Sequence, residues 1–154
     1  MFFHKTVYLY YMYFVSATRL KLRSIFFLPA LFKADSAATR QLVITPGFVK
    51  GKQLFDKGLT FWTLTMWADA DAMKVFRNSP PHQMAMRKLP DWCSEGTYNH
   101  WIQESDEFPD WYTVHDKIVS EGKITKVRKP SRSQLSKSFP KPQWSKTETK
   151  YKPV

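Results

Sequence analysis

His82 is the residue of this chain best suited to chemistry. It follows R-N-S-P-P at Arg77–Pro81, where Ser79 suits an N-cap and Pro80 the first helical position. An imidazole at the third position of that helix meets the positive end of the dipole, which disfavours its protonated form. A neutral imidazole is what a general base or a metal ligand requires. His82 is therefore the candidate catalytic and metal-ligating residue, against the plainer alternative of a ring capping an apolar stripe. Other groups offer less. His100 falls in a strand that could face a pocket or an interface, and His115 lies on a short amphipathic helix where packing explains it. His4 is near the terminus and carries no argument. Cys93 is the single cysteine and reads as a buried structural thiol within a helical pattern; it excludes an intrachain disulfide and zinc-spaced Cys/His clusters. Asp69 and Asp71 read as a cap and a first-turn charge, and Asn78 as a turn residue. No phosphate loop, carboxylate pair or serine-nucleophile motif is present, so hydrolase and phosphotransferase readings have no support.

The elements that would hold His82 follow from periodicity. Tyr13–Leu22 alternates as a first strand, with Arg19 read as a solvent-facing position. Leu31, Ala34, Ala38 and Leu42 recur on one helix face, and Thr45-Pro46-Gly47 stops that helix. Phe48–Phe55 and Leu59–Trp67 read as two strands joined at Asp56-Lys57-Gly58. The second carries F-W-T-L-T-M-W, apolar on both faces, which predicts a central strand covered on both sides. Helices should cover one face, and a second subunit is the economical cover for the other. Phe61, Thr63, Thr65 and Trp67 share one side and Trp62, Leu64 and Met66 the other, with the pocket side left open. Asp69 caps a helix whose inner face carries Ala70, Met73 and either Phe76 or Arg77. The next helix carries His82, Met86 and Leu89, is interrupted near Pro90 and ends at Gly96. Thr97–Gln103 is a fourth strand. The order is βαββαβ, the ferredoxin-like arrangement. Asp110–Glu121 adds a short helix closed by Gly122.

Charge separates the chain into parts. Of the formal +11, residues 1–121 hold 14 basic and 12 acidic side chains, whereas residues 122–154 hold 10 and 1. The body is nearly neutral and the basicity belongs to the C-terminal stretch, which is poor in aliphatics and rich in Lys, Ser and Pro. We expect it to be a disordered basic tail, capable of non-specific nucleic-acid contact. Residues 1–12 read as an N-terminal extension or the start of the first strand, 13–121 as the folded domain and 122–154 as the tail. The uncharged run Thr6–Thr18 is shorter than the about 20 residues of a spanning helix, so no membrane span is expected. A reducing, cytoplasmic setting fits the single cysteine.

The series Phe61–Trp67, Ala72-Met73, Phe76, His82, Met86, Trp92-Cys93, His100-Trp101 and Pro109-Asp110-Trp111 resembles spheroidene-monooxygenase-like proteins. Tyr13–Leu20, Y-F-V-S-A-T-R-L, resembles the opening of that group. These belong to the dimeric α/β-barrel superfamily with the antibiotic-biosynthesis monooxygenases and haem-degrading monooxygenases. The resemblance spans roughly Tyr13–Trp111. It implies an α+β fold, a ferredoxin-like βαββαβ monomer forming a dimeric α/β barrel as a homodimer, with a pocket between sheet and helices. It further implies a monooxygenase-like oxidoreductase acting on a hydrophobic substrate, with haem or with no cofactor. In the haem-degrading members the ligand histidine falls about one helical turn later, where this chain has Met86. His82 instead matches a histidine of the antibiotic-biosynthesis and spheroidene-type patterns.

The expected site therefore has His82 as base or haem ligand, Arg77 for a propionate or carboxylate, and Trp62, Trp67, Met73, Phe76 and Met86 as lining. Arg19 is a weaker partner for the same carboxylates. Two alternatives stand beside an oxygenase: a non-enzymatic barrel binding an apolar small molecule, and an RNA-binding module with a basic tail. The second is weak, because Leu59, Thr60 and Leu64 stand where an RNA-recognition strand needs aromatic, small and aromatic residues.

Overall fold

In the computed structural model, residues 11–143 and 146–154 are described; the N-terminal run up to residue 10, His4 included, lies outside them. The elements in chain order are β1 (Tyr13–Leu22), α1 (Leu28–Leu42), β2 (Phe48–Asp56), β3 (Thr60–Trp67), α2 (Ala70–Arg77), α3 (Pro80–Trp92) and β4 (Cys93–Gln103). There follow α4 (Trp111–Glu121), β5 (Lys123–Ile124), α5 (Arg132–Ser136) and β6 (Glu148–Tyr151). Every strand pairing is antiparallel, and the sheet order is β5-β4-β1-β3-β2-β6. Strands β1 to β4 with α1 to α3 between them give the ferredoxin-like topology.

The sheet is open, with β5 and β6 at its two edges. It is not closed into the α/β barrel that the resemblance implies. The tail expected to be disordered is also ordered over its described residues, and it removes the reason for a barrel. The face assigned to a second subunit is covered by the chain itself. Trp111, Val114 and Ile118 of α4 and Phe139 pack on Val15, Ala17, Leu54, Trp62, Leu64 and Met66. Each large apolar side chain buried there contributes about 1.5–3 kcal/mol.

Polar contacts fasten the C-terminal segment, which is why its low aliphatic content misleads. The Gln134 side chain bonds both the N–H and the carbonyl of Gly96 and the carbonyl of Thr125. Gly96 thus lies within β4 and is not the helix stop expected of it; a Cβ there would meet Thr125 Cβ at 3.0 Å. Cys93 likewise opens β4 and does not continue α3, and Pro90 is accommodated inside that helix. The Pro90 carbonyl accepts from Arg128 N at 3.0 Å. His115 Nε2 meets the Phe139 carbonyl at 2.7 Å, so this histidine packs as expected and tethers the segment. At the other edge β6 pairs with β2, and Trp111 Nε1 donates to Glu148 at 2.7 Å.

Arg19 is the centre of this face. It is 2% exposed, not solvent-facing, and pairs with Glu95 at 2.5 Å. Phe139 lies over its guanidinium at 4.5 Å and Trp62 at 5.3 Å, while Ser131 donates to the second Glu95 oxygen. It is therefore committed to the fold and cannot serve a ligand carboxylate. Removing one partner of such a pair strands a buried charge, at about 3–5 kcal/mol. Glu95→Ala should lose that much in urea denaturation, and the double replacement Arg19→Met with Glu95→Leu should recover most of it. A loss under about 1 kcal/mol, the size of a surface pair, would contradict this assignment.

Candidate functional site

The opposite face of the sheet is built from rungs set by strand register. Ser16 faces Thr65 and His100, and Thr18 faces Thr63 and Tyr98. These two rungs of small hydroxyl side chains lie between two bulky ones, Phe14–Trp67–Phe48 and Leu20–Phe61–Phe55. The face left open by the sequence is thereby fixed: Phe61, Thr63, Thr65 and Trp67 turn toward α1 to α3. Helices α1 and α3 roof the small rungs without filling the space above them. The result is a chamber of about 360 Å³, at the lower end of the about 300–1,000 Å³ usual for small-molecule sites. Its walls are mainly apolar, from Leu31, Ala38, Met73, Phe76, Met86 and Leu89.

His82, Arg77, Met73, Phe76 and Met86 all line this chamber. Trp67 is fully buried beneath Phe48 and Phe76 and supports the wall from behind. Trp62 belongs to the other face, packed near Trp111 and His115, so it is not brought to the cavity. His100, whose strand could face a pocket or an interface from sequence, is in the chamber wall, because it stands opposite Ser16 on this face.

The local chain explains how His82 is held. Asp69 caps α2 by accepting from Ala72 N, and α2 meets α3 in a tight joint at Asn78. Ser79 occupies the N-cap position of α3, but its hydroxyl turns back to donate to the Phe76 carbonyl at 2.6 Å. This joint presents the Arg77 carbonyl to His82 Nδ1 at 3.1 Å. A carbonyl only accepts, so Nδ1 carries the hydrogen and the lone pair of the neutral ring is on Nε2. The ring also packs edge-on against Phe76, with centroids 4.9 Å apart.

The chamber disfavours charge. Burial lowers the pKa of His82, opposed by the bond to the Arg77 carbonyl and reinforced by the Arg77 charge. Burial also lowers that of His100, with help from Arg77 and Lys123. Asp35, reaching in from α1, is raised by burial against a lowering hydrogen bond from Gln53. Cys93 is buried outside the chamber wall and pushed up to about 12, an inert thiol. Asp35 and Gln53 are site residues that sequence reasoning missed. The signal was available for Asp35, which falls four positions after Leu31 on the helix face already recognised as inward.

Among the described residues no three His, Cys, Asp or Glu side chains gather to hold a metal ion. Nε2 of His82 is the atom that would hold a haem iron, and Arg77 the group that would hold a propionate. Both side chains line the same chamber. No helix of the described residues is long and apolar enough to cross a membrane.

No family model matches the sequence, and no curated protein is significantly similar to it. Solved structures do match in three dimensions. A protein of unknown function from Nitrosomonas europaea is 15% identical, with a TM-score of 0.54 over 66% of this chain and 98% of its own. A candidate antibiotic biosynthesis monooxygenase from the same organism is 13% identical, with a TM-score of 0.53 over 71% of this chain and 100% of its own. Rv0793 from Mycobacterium tuberculosis is 11% identical, with a TM-score of 0.52 over 64% and 99%. The likeness is one of fold. About a third of this chain lies outside each match.

Both imidazoles bind protons more weakly in the folded chain than their ordinary 6.5. Between the folded values and 6.5 the unfolded chain therefore holds more protons, and stability falls as pH drops through that window. His82→Gln and His100→Gln should each flatten the fall in urea midpoint between about pH 7 and pH 5. An unchanged slope in both variants would contradict this description of the chamber.

Proposed function

We propose that the protein binds a flat, uncharged, apolar molecule bearing an acidic phenol or enol, and that His82 deprotonates it for reaction with dioxygen. The observation that carries this reading is the bond from Nδ1–H of His82 to the Arg77 carbonyl. It orients a neutral imidazole with the Nε2 lone pair available at a mostly apolar chamber. Hydroxyls of Ser16, Thr18, Thr63 and Thr65 supply donors and acceptors for ligand oxygens on the floor. The fold likeness to a candidate antibiotic biosynthesis monooxygenase supports the same direction.

In this scheme Nε2 takes the acidic proton and the substrate anion gives its electrons to dioxygen. One oxygen atom enters the substrate as a carbonyl. The other leaves as water with the hydrogen of the oxidised carbon and the acidic proton returned by His82. A positioned base of this kind contributes about 10²–10⁴-fold. The second reading, a protein that binds the same ligands without transforming them, needs the chamber but no proton transfer.

The probe is 2-tetralone, an enolisable ketone with benzylic α-hydrogens. The wild-type protein should accelerate exchange of its α-hydrogens for deuterium and its uptake of oxygen. His82→Ala should lower both by about 10²-fold or more. Equal rates in the two proteins would contradict the role of His82. Binding by the wild type with no acceleration would leave the ligand-binding reading in its place.

A further inference from the structure

A second cavity of about 240 Å³ adjoins the chamber. The two share Leu20, Leu31, Asp35, Gln53 and Thr63 as walls. The shared polar pair is in contact: Gln53 Nε2 donates to Asp35 Oδ1 at 2.6 Å. The far end of this lobe is furnished by Thr147 and, from the C-terminal strand, Thr149 and Tyr151. Tyr151 donates its hydroxyl to Gln53 Oε1 at 2.7 Å and so fixes the amide. Its aromatic walls are Phe55 and Phe61, stacked at 4.7 Å, with Phe32 edge-on to both at 6.3 and 6.1 Å.

We propose that the two cavities form one two-lobed site for an elongated ligand: a bicyclic phenolic or enolic body in the main chamber, a single aromatic ring in the second lobe, and between them a linker that both donates and accepts hydrogen bonds. This rests on the proposed use of the main chamber and extends it. Three observations support it. The lobe falls below the about 300 Å³ that a separate small-molecule site needs, so it suits an extension of a ligand held next door. Phe32 and Phe61 in its wall can meet one ring in offset or edge-on contact. At the waist, one carboxyl oxygen of Asp35 and one amide hydrogen of Gln53 remain after their mutual bond and the bond to Tyr151. An acceptor and a donor side by side match an amide or hydroxyl linker. The raised pKa of Asp35 adds a preference for an uncharged one.

The test compares 2-naphthol with 3-hydroxy-2-naphthanilide, which is a naphthol joined to a phenyl ring through an amide. Binding is followed by fluorescence titration. The wild type should bind the naphthanilide at least tenfold more tightly than 2-naphthol. Thr149 lies on the edge strand opposite Gln53, outside the main chamber. Thr149→Trp should abolish that preference and leave 2-naphthol affinity unchanged, which also shows the variant to be folded. Equal affinity of the two probes for the wild type, or a preference that survives Thr149→Trp, overturns the two-lobed site while the main chamber stands. Failure of both probes to bind the wild type overturns the main-chamber reading and this one with it.

Discussion

Two rungs of small hydroxyl residues between two rungs of bulky ones set the rest of this structure. Ser16–Thr65 and Thr18–Thr63 are cross-strand pairs at the centre of the sheet, flanked by Phe14–Trp67 and Leu20–Phe61. The flanking side chains hold α1 and α3 off the sheet, and the small ones cannot fill the gap. A chamber is the consequence of that register, of the sizes of those side chains and of the helical roof. Because side chains alternate along a strand, the same register sends Val15, Ala17, Trp62, Leu64 and Met66 to the other face, where they are buried in one cluster with α4 and Phe139. One face is core and the other is site.

That division explains the C-terminal third. A sheet with a hollow on one side relies on close packing on the other. Here α4 and the following segment supply it, sealed by Phe139 over the Arg19–Glu95 pair. The last strand then returns to the site side, where Tyr151 braces Gln53. The C-terminal segment thus serves both faces.

The order of strands and helices was legible because each depends on local periodicity and capping: Leu31–Leu42, Asp69, Ser79-Pro80 and Asp110 stand where the chain needs them. His82 was legible for the same reason, since a helix start fixes its surroundings. Three things were not. Which side of β3 faced the helices depends on partners distant in sequence. Arg19 looks like a surface charge until Glu95, 76 residues away, is beside it. The basic stretch looks disordered by composition because it has few apolar anchors, Phe139 among them, and many of its fastenings are single polar contacts such as Gln134 on Gly96.

The groups at the chamber lean toward their neutral forms, the imidazoles by losing a proton and Asp35 by keeping one. The central claim is that an apolar ligand enters between the hydroxyl rungs and the helices. Methionines report on it from both faces: Met73 and Met86 line the chamber, Met66 is buried on the opposite face and Met84 is exposed. The direct measurement is a titration of protein carrying ¹³C-labelled methionine methyls with 2-naphthol, followed by NMR. Shifts at Met73 and Met86, with Met66 and Met84 unmoved, are the predicted result. Binding that moves Met66 and leaves Met73 and Met86 in place would contradict it.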